Sequence, residues 1–186
     1  MSPIEIAAFL LGLANVTLVV RRSIWNYPFG LAMVALYAWI FLGAKLYSDA
    51  VLQLFFFAVQ IYGWQQWARA RADAGEVRVE LLSRGARSLW LAGCAVAAAA
   101  WGMLMHRYTD AAFPWWDGTI AMLSVAAQIL MSKRYLENWV LWIAVDALAI
   151  GLFAVKGLWL TALLYAIFLV LASWGLVHWA RVRAAA

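Results

Sequence analysis

The sequence predicts an all-α integral membrane protein: seven transmembrane helices in a 3+1+3 parallel repeat. Three observations lead there. The chain is too apolar for a water-soluble core, its apolar stretches have bilayer length, and its first and last thirds align at a fixed offset.

Of 186 residues, 68% are hydrophobic and 12% charged, and a soluble domain of that size needs a more polar surface. Lipid is the solvent that fits. A helix crosses the hydrocarbon with about 20 mostly apolar residues. Seven stretches bounded by charge clusters approach that length: 4–20, 25–43, 48–67, 88–105, 117–131, 138–155 and 158–179. The fifth is the shortest. Residues 1–5 lack the basic start and small-residue cleavage site of a secretory signal, so the first span is expected to stay in the mature protein.

The sole cysteine, Cys94, excludes an intrachain disulfide and any multi-cysteine metal or iron–sulfur site. No Walker A pattern and no His/Cys ligand cluster occurs, and His106 and His178 stand at span ends. No metal or cofactor is expected, and no nucleophile–base pair suggests an enzyme.

The net charge of +5 would point toward nucleic acid in a soluble protein. Here the basic residues lie in loops and report topology, with no nucleic-acid partner expected. One face holds Lys45, Arg107 and Lys156. The other holds eleven: Arg21, Arg22, Arg69, Arg71, Arg78, Arg84, Arg87, Lys133, Arg134, Arg181 and Arg183. Positive residues are retained inside, which places the carboxyl terminus in the cytoplasm and the amino terminus outside a bacterial inner membrane. Trp64, Trp67, Trp90, Trp139, Trp174 and Trp179 gather near the inner ends of spans, where headgroup anchoring is the first reading.

Shifting the chain by 112 residues aligns spans 1–3 with spans 5–7 without a gap. Arg21-Arg22 falls on Lys133-Arg134, Asn26 on Asn138, Phe41 on Phe153, Leu46 on Leu158, Phe56 on Phe168, Gly63 on Gly175, and Trp67-Ala68-Arg69 on Trp179-Ala180-Arg181. With one span between them, both halves enter the membrane from the same side, so the repeat is parallel about an axis along the membrane normal. The expected division is a first bundle at 1–67, a cytoplasmic loop at 68–87, a linker span at 88–105, and a second bundle with a cytoplasmic tail at 106–186.

Buried polar groups are costly in lipid, about 2.5–3.5 kcal/mol for a central Asp on insertion scales, so each is a functional candidate. Asp146 lies near the middle of span 6, with Trp142 and Asn138 one and two turns away on the same face. Its counterpart is Val34, so a carboxylate is not required by the fold; the alternative is an acid satisfied by a neighbouring helix. Span 3 presents Gln53, Gln60, Trp64 and Trp67 in one stripe, whose counterparts are Tyr165, Ala172, Leu176 and Trp179. Glutamines also hold membrane helices together, and Trp64 and Trp67 also read as interfacial anchors. Asn26 and Asn138 read first as helix caps, with Pro28 as a first-turn proline. Asn15 and Gln128 could serve either role. Phe113-Pro114-Trp115-Trp116-Asp117 reads first as an anchor with a helix start and second as a gate. A carboxylate, amides and aromatic rings together suit a small aromatic solute, cationic or hydroxylated.

The stretches from Leu46 through Gln53 to Trp64, from Glu137 to Asp146, and from Lys156 to Tyr165 closely resemble the PnuC-type family of nicotinamide riboside transporters. The resemblance extends over nearly the whole chain, without the extra leading helix of some members. It implies a fold related to the SWEET sugar transporters, a homotrimer, and facilitated diffusion of a vitamin precursor, made one-way by a cytoplasmic kinase that phosphorylates the solute. Members also carry thiamine or riboflavin. The expected solute-binding residues are Gln53, Gln60, Trp64, Gln128, Asn138, Trp142, Asp146 and Tyr165. A proton-coupled carrier in which Asp146 titrates is the alternative, and a receptor or structural protein without solute flux is the reading from another class.

Overall fold

A computed structural model describes residues 3–43, 47–110 and 112–185. These form seven helices: α1 (Pro3–Val20), α2 (Asn26–Gly43), α3 (Tyr47–Ala74), α4 (Arg84–Tyr108), α5 (Pro114–Ser132), α6 (Glu137–Val155) and α7 (Trp159–Ala184). Lys45 and Leu46 lie outside the described residues. Each apolar stretch became a helix, but hydropathy missed where helices run on in polar sequence. α3 continues past Trp67 to Ala74 and α4 starts at Arg84, so the loop expected at 68–87 shrinks to Gly75–Ser83. The added turns are rich in alanine and arginine, both strong helix formers.

Among the described residues, four helical segments are long and apolar enough to cross a membrane: Asn26–Gly43, Arg84–Tyr108, Glu137–Val155 and Thr161–Ala184. α3 and α5 are less apolar because they carry Gln60, Ser124 and Gln128, all of them buried. These three side chains face inward, while Leu54, Phe55, Phe57 and Ile61 of α3 face outward; Gln65, Arg69 and Arg71 toward the C-terminal end of α3 are exposed.

Local chemistry sets the ends. Pro114 occupies the first turn of α5, where its missing N–H costs nothing. Ser83 caps α4 by accepting from the Ala86 N–H at 3.2 Å. α1 ends with Arg22 in the left-handed region at φ 55°, and the N–H groups of Arg22 and Ser23 donate to the carbonyls of Val19 and Leu18. α5 ends the same way at Arg134, φ 65°, whose N–H and that of Tyr135 donate to Met131 and Leu130. This closing motif normally employs glycine, and an L side chain there costs about 1–2 kcal/mol.

Neighbouring helices pack in the order α1, α2, α3, α5, α6, α7 and back to α1, with α4 outside against α5. Six helices thus close into a ring. Among the described residues, the opposite pairs α1/α5, α2/α6 and α3/α7 do not pack backbone to backbone. α1, α3, α5 and α7 end, and α2 and α6 begin, at one end of the ring, where their side chains share a cluster containing Val19, Tyr27, Trp67, Met131, Trp139 and Trp179. The loops at this end and the helix termini beside them carry the eleven basic residues.

Candidate functional site

Helix phase, rather than a preference for headgroups, decides the tryptophans at the basic end. Trp67 and Trp179 are fully buried and Trp139 nearly so, while Trp64 and Trp174 remain 38% and 42% exposed. Anchoring was therefore the wrong reading for Trp67, Trp139 and Trp179. Depth in the bilayer is legible from sequence, but the face a ring takes depends on where neighbouring helices stand.

The buried rings form a plug. Trp67 and Trp179 lie 5.9 Å apart, Tyr27 meets Trp67 edge-on at 5.5 Å, and Trp139 meets Trp179 edge-on at 5.5 Å. The Trp67 indole N–H donates to the Met131 carbonyl, and that of Trp179 donates to the carbonyls of Val19 and Val20. Trp67 of α3 thereby reaches a carbonyl at the C-terminal end of α5, and Trp179 of α7 reaches carbonyls at the C-terminal end of α1. Two glycines allow the close approach: a Cβ on Gly63 would lie 2.7 Å from the Tyr27 hydroxyl, and one on Gly175 would lie 2.6 Å from the Trp139 ring.

Asn26 and Asn138 were expected as caps that accept from helix N–H groups. Both are instead buried donors: the Asn26 amide reaches the Ser23 carbonyl at 2.7 Å and the Asn138 amide the Tyr135 carbonyl at 2.6 Å. They pin the turns between helices, because the plug shields them from water that would otherwise compete.

Above the plug lies a polar band. Gln60 sits seven residues before Trp67, and Asp146 eight residues beyond Asn138, which puts both roughly 10–12 Å deeper along their helices. Gln60 is 5% exposed, Gln128 6% and Asp146 4%. Asn15 is buried too and donates to the Asn26 carbonyl at 2.7 Å. Gly30 makes room for this pair: a Cβ there would overlap the Gln60 carbonyl oxygen and crowd the Asn15 amide. Trp142 is half-buried between the plug and Asp146.

Farther from the plug, aromatic rings form a second layer. Tyr165 stacks on Phe153 at 5.3 Å and meets Phe168 at 6.2 Å, and Tyr37 stacks on Phe41 at 5.8 Å. Tyr165 lies within electrostatic reach of Asp146 and of Tyr37.

Of the eight residues selected from sequence, Gln60, Gln128, Asn138 and Asp146 are buried, and Gln53, Trp142 and Tyr165 are half-buried. Trp64 stands at the outer edge of its stripe, its ring parallel to Tyr27 at 6.2 Å. Sequence reasoning passed over Tyr27, which is sandwiched by Trp64 and Trp67. Its hydroxyl and the Gln128 amide nitrogen are buried with no hydrogen-bond partner among the described residues, as is the Asn138 carbonyl oxygen. Polar capacity left unspent inside a protein asks for a polar occupant. Among the described residues no cation pairs with Asp146. Two clefts of about 340 and 450 Å³ flank α4, but they are lined by residues such as Leu91, Cys94 and Ala97, and none of the eight borders them. No group of three or more His, Cys, Asp or Glu able to hold a metal occurs among the described residues.

A membrane-embedded ring of helices around an unpaired acid, buried amides and stacked rings has the form of a solute transporter. The comparisons with known proteins give the family. Residues 2–181 match the nicotinamide mononucleotide transporter family, and the chain belongs to it. It is 32% identical over 204 residues to the nicotinamide riboside transporter PnuC of Escherichia coli, across 96% of this chain and 85% of that one. It is 30% identical over 173 residues to the riboflavin/roseoflavin transporter RibM of Streptomyces davaonensis, across 91% and 81%. The crystal structure of the vitamin B3 transporter PnuC superposes with a TM-score of 0.79 at 30% identity, covering 97% of this chain and 82% of that one.

Proposed function

We propose that this protein carries nicotinamide riboside into the cell by facilitated diffusion, and that a cytoplasmic kinase traps the solute by phosphorylation. The observation that carries the choice of solute is Asp146, a carboxylate 4% exposed and paired with no cation among the described residues. An isolated charge in such a place is costly. The pyridinium ring of nicotinamide riboside supplies the missing cation, whereas riboflavin is neutral. Tyr165 and Trp142 offer aromatic surface to the ring, and Gln60, Gln128, Gln53 and Asn138 offer hydrogen bonds to carboxamide and ribose. Trp64 is a contact at the rim.

The same proposal includes a 3+1+3 parallel repeat, with bundles 1–67 and 106–186 about an axis through the ring and α4 as the inverting linker. The crossed indole–carbonyl bonds of Trp67 and Trp179, whose partners Met131 and Val19 are themselves 112 positions apart, support that reading. The basic loops support a cytoplasmic carboxyl terminus and an external amino terminus. A homotrimer follows from the family resemblance.

Uptake of radiolabelled nicotinamide riboside into proteoliposomes tests the function, with riboflavin and thiamine as competitors. Saturable uptake that an imposed pH gradient does not change, inhibited best by unlabelled nicotinamide riboside, is the expected result. Stimulation by an inward proton gradient would favour proton coupling through Asp146. No flux of any of the three would refute the carrier reading.

A further inference from the structure

We propose that Gly75–Ser83, which joins α3 to α4, is a strap that seals the basic end of the ring, travels with α5 and α6, and withdraws from the α1–α2 turn when solute passes. The proposal rests on the carrier reading and adds a moving part to it.

The strap alternates in character over its middle, with Val77 and Val79 turned inward and Arg78 and Glu80 outward; Leu82, out of that phase, is buried where the strap meets α4. Val77 is 4% exposed and belongs to the same cluster as Val19, Trp67, Met131, Trp139 and Trp179. A connecting loop normally runs over a surface in water. This one puts a side chain into the aromatic plug, between helices of both groups of three.

The two left-handed arginines hold it from opposite sides. Arg22 donates to the Val77 carbonyl at 2.8 Å and pairs with Glu76 at 3.3 Å. Arg134 pairs with Glu80 at 3.8 Å and donates to the Gln66 carbonyl at 3.2 Å. Their backbone strain is thus matched by a contact a glycine could not make.

The anchors are unequal. Toward α5 and α6, the Glu80 N–H donates to the Arg134 carbonyl and the Leu136 N–H to the Glu80 carbonyl, both at 2.9 Å. The Leu82 N–H donates to the Glu137 carboxylate, which also holds Arg87 at 2.7 Å. Toward α1, the polar attachment among the described residues is the Arg22 guanidinium alone. Gly75, at φ 73°, is the first strap residue after α3 and supplies a conformation other residues rarely adopt. A relative movement of the two groups of helices would therefore part the strap at Arg22, turning about Gly75, and draw Val77 out of the plug.

Thiol labelling tests this in a Cys94→Ala background, carrying either Val77→Cys or the exposed-site control Glu76→Cys. In sealed proteoliposomes at rest, Val77→Cys is expected to react with a membrane-permeant maleimide at least tenfold more slowly than Glu76→Cys. During nicotinamide riboside exchange its rate is expected to rise several-fold. A separate Glu80→Cys/Tyr135→Cys pair spans the bridge between those residues, where strand spacing suits a disulfide; its oxidation is expected to leave uptake intact. Equal labelling of both sites at rest would show that the strap is not seated. Labelling of Val77→Cys unchanged while uptake proceeds, or uptake abolished by the disulfide and recovered with reductant, would overturn the proposed movement. Failure of the unmodified protein to take up nicotinamide riboside would instead refute the proposed function, and the labelling contrast at rest would still decide whether the strap is seated.

Discussion

Residues 112 positions apart behave differently at the two depths of the ring. At the basic end, counterparts do matching work. Arg22 and Arg134 close helices in the left-handed region, Asn26 and Asn138 donate to the carbonyl three residues back, and Trp67 and Trp179 cap carbonyls across the ring. One to about four turns deeper the counterparts part: Gly30 against Trp142, Val34 against Asp146, Gln60 against Ala172, Gln53 against Tyr165. Bulk is compensated within each group, since Gly30 admits the Gln60 side chain while the half-buried Trp142 accompanies the buried Ala172. Packing demands the same solution twice at the plug. A solute with a cationic ring at one end and a sugar at the other is itself asymmetric, and so is the band that would receive it.

The comparison breaks first at the plug. Trp67→Ala and Trp179→Ala are each expected to lower stability by about 3–5 kcal/mol, because each removes a fully buried indole. Each substitution removes one of two donors to its carbonyl, since Met131 also accepts from the Arg134 N–H and Val19 from the Arg22 N–H, so the expected loss is mainly that of the ring. Melting in detergent checks it, and a variant that melts like the parent would show that the two rings do not share the load. Gly175→Ala and Gly63→Ala come next, at about 1–3 kcal/mol each. The new methyl meets the Trp139 ring in one and the Tyr27 hydroxyl in the other, and markedly unequal losses would mean the two plug halves yield differently. Gly30→Ala is expected to displace Gln60 and weaken solute affinity about tenfold, roughly 1.4 kcal/mol, with a smaller change in melting. The smallest effect belongs to Arg134→Gly. It relieves about 1–2 kcal/mol of backbone strain and gives up side-chain contacts at a partly exposed site, so thermal melts should show a shift of a few degrees at most.

Much of this was legible in the sequence, for physical reasons that also mark its limits. The apolar runs locate the seven helices, four of them long and apolar enough to cross a membrane among the described residues, since in lipid a backbone satisfies its polar groups only in helices or a closed barrel. The burial of Asp146, Asn138, Gln60 and Gln128 follows from the cost of exposing them to lipid. The facing of Trp67 and Trp139 was not legible, because composition gives depth while neighbours give orientation. Asn26 and Asn138 looked like caps because their side chains can accept; only the fold shows them donating. Tyr27 drew no notice because its counterpart is a tryptophan, so the shared edge-on packing leaves no identity to detect. The strap did leave a signal in the alternation of Val77, Arg78, Val79 and Glu80, a period of two that a search for spans passes over.

Asp146→Asn tests most directly whether the asymmetric band serves the solute rather than the fold. On one preparation, the melting temperature and the affinities for nicotinamide riboside and for an uncharged analogue of similar size should be measured together. The expected result is a melting temperature close to the parent's, an affinity for the cation lowered about tenfold or more, and an affinity for the neutral analogue little changed. A variant that melts early and loses both ligands in proportion, or whose folded fraction binds the cation normally, would contradict it and make Asp146 a structural residue.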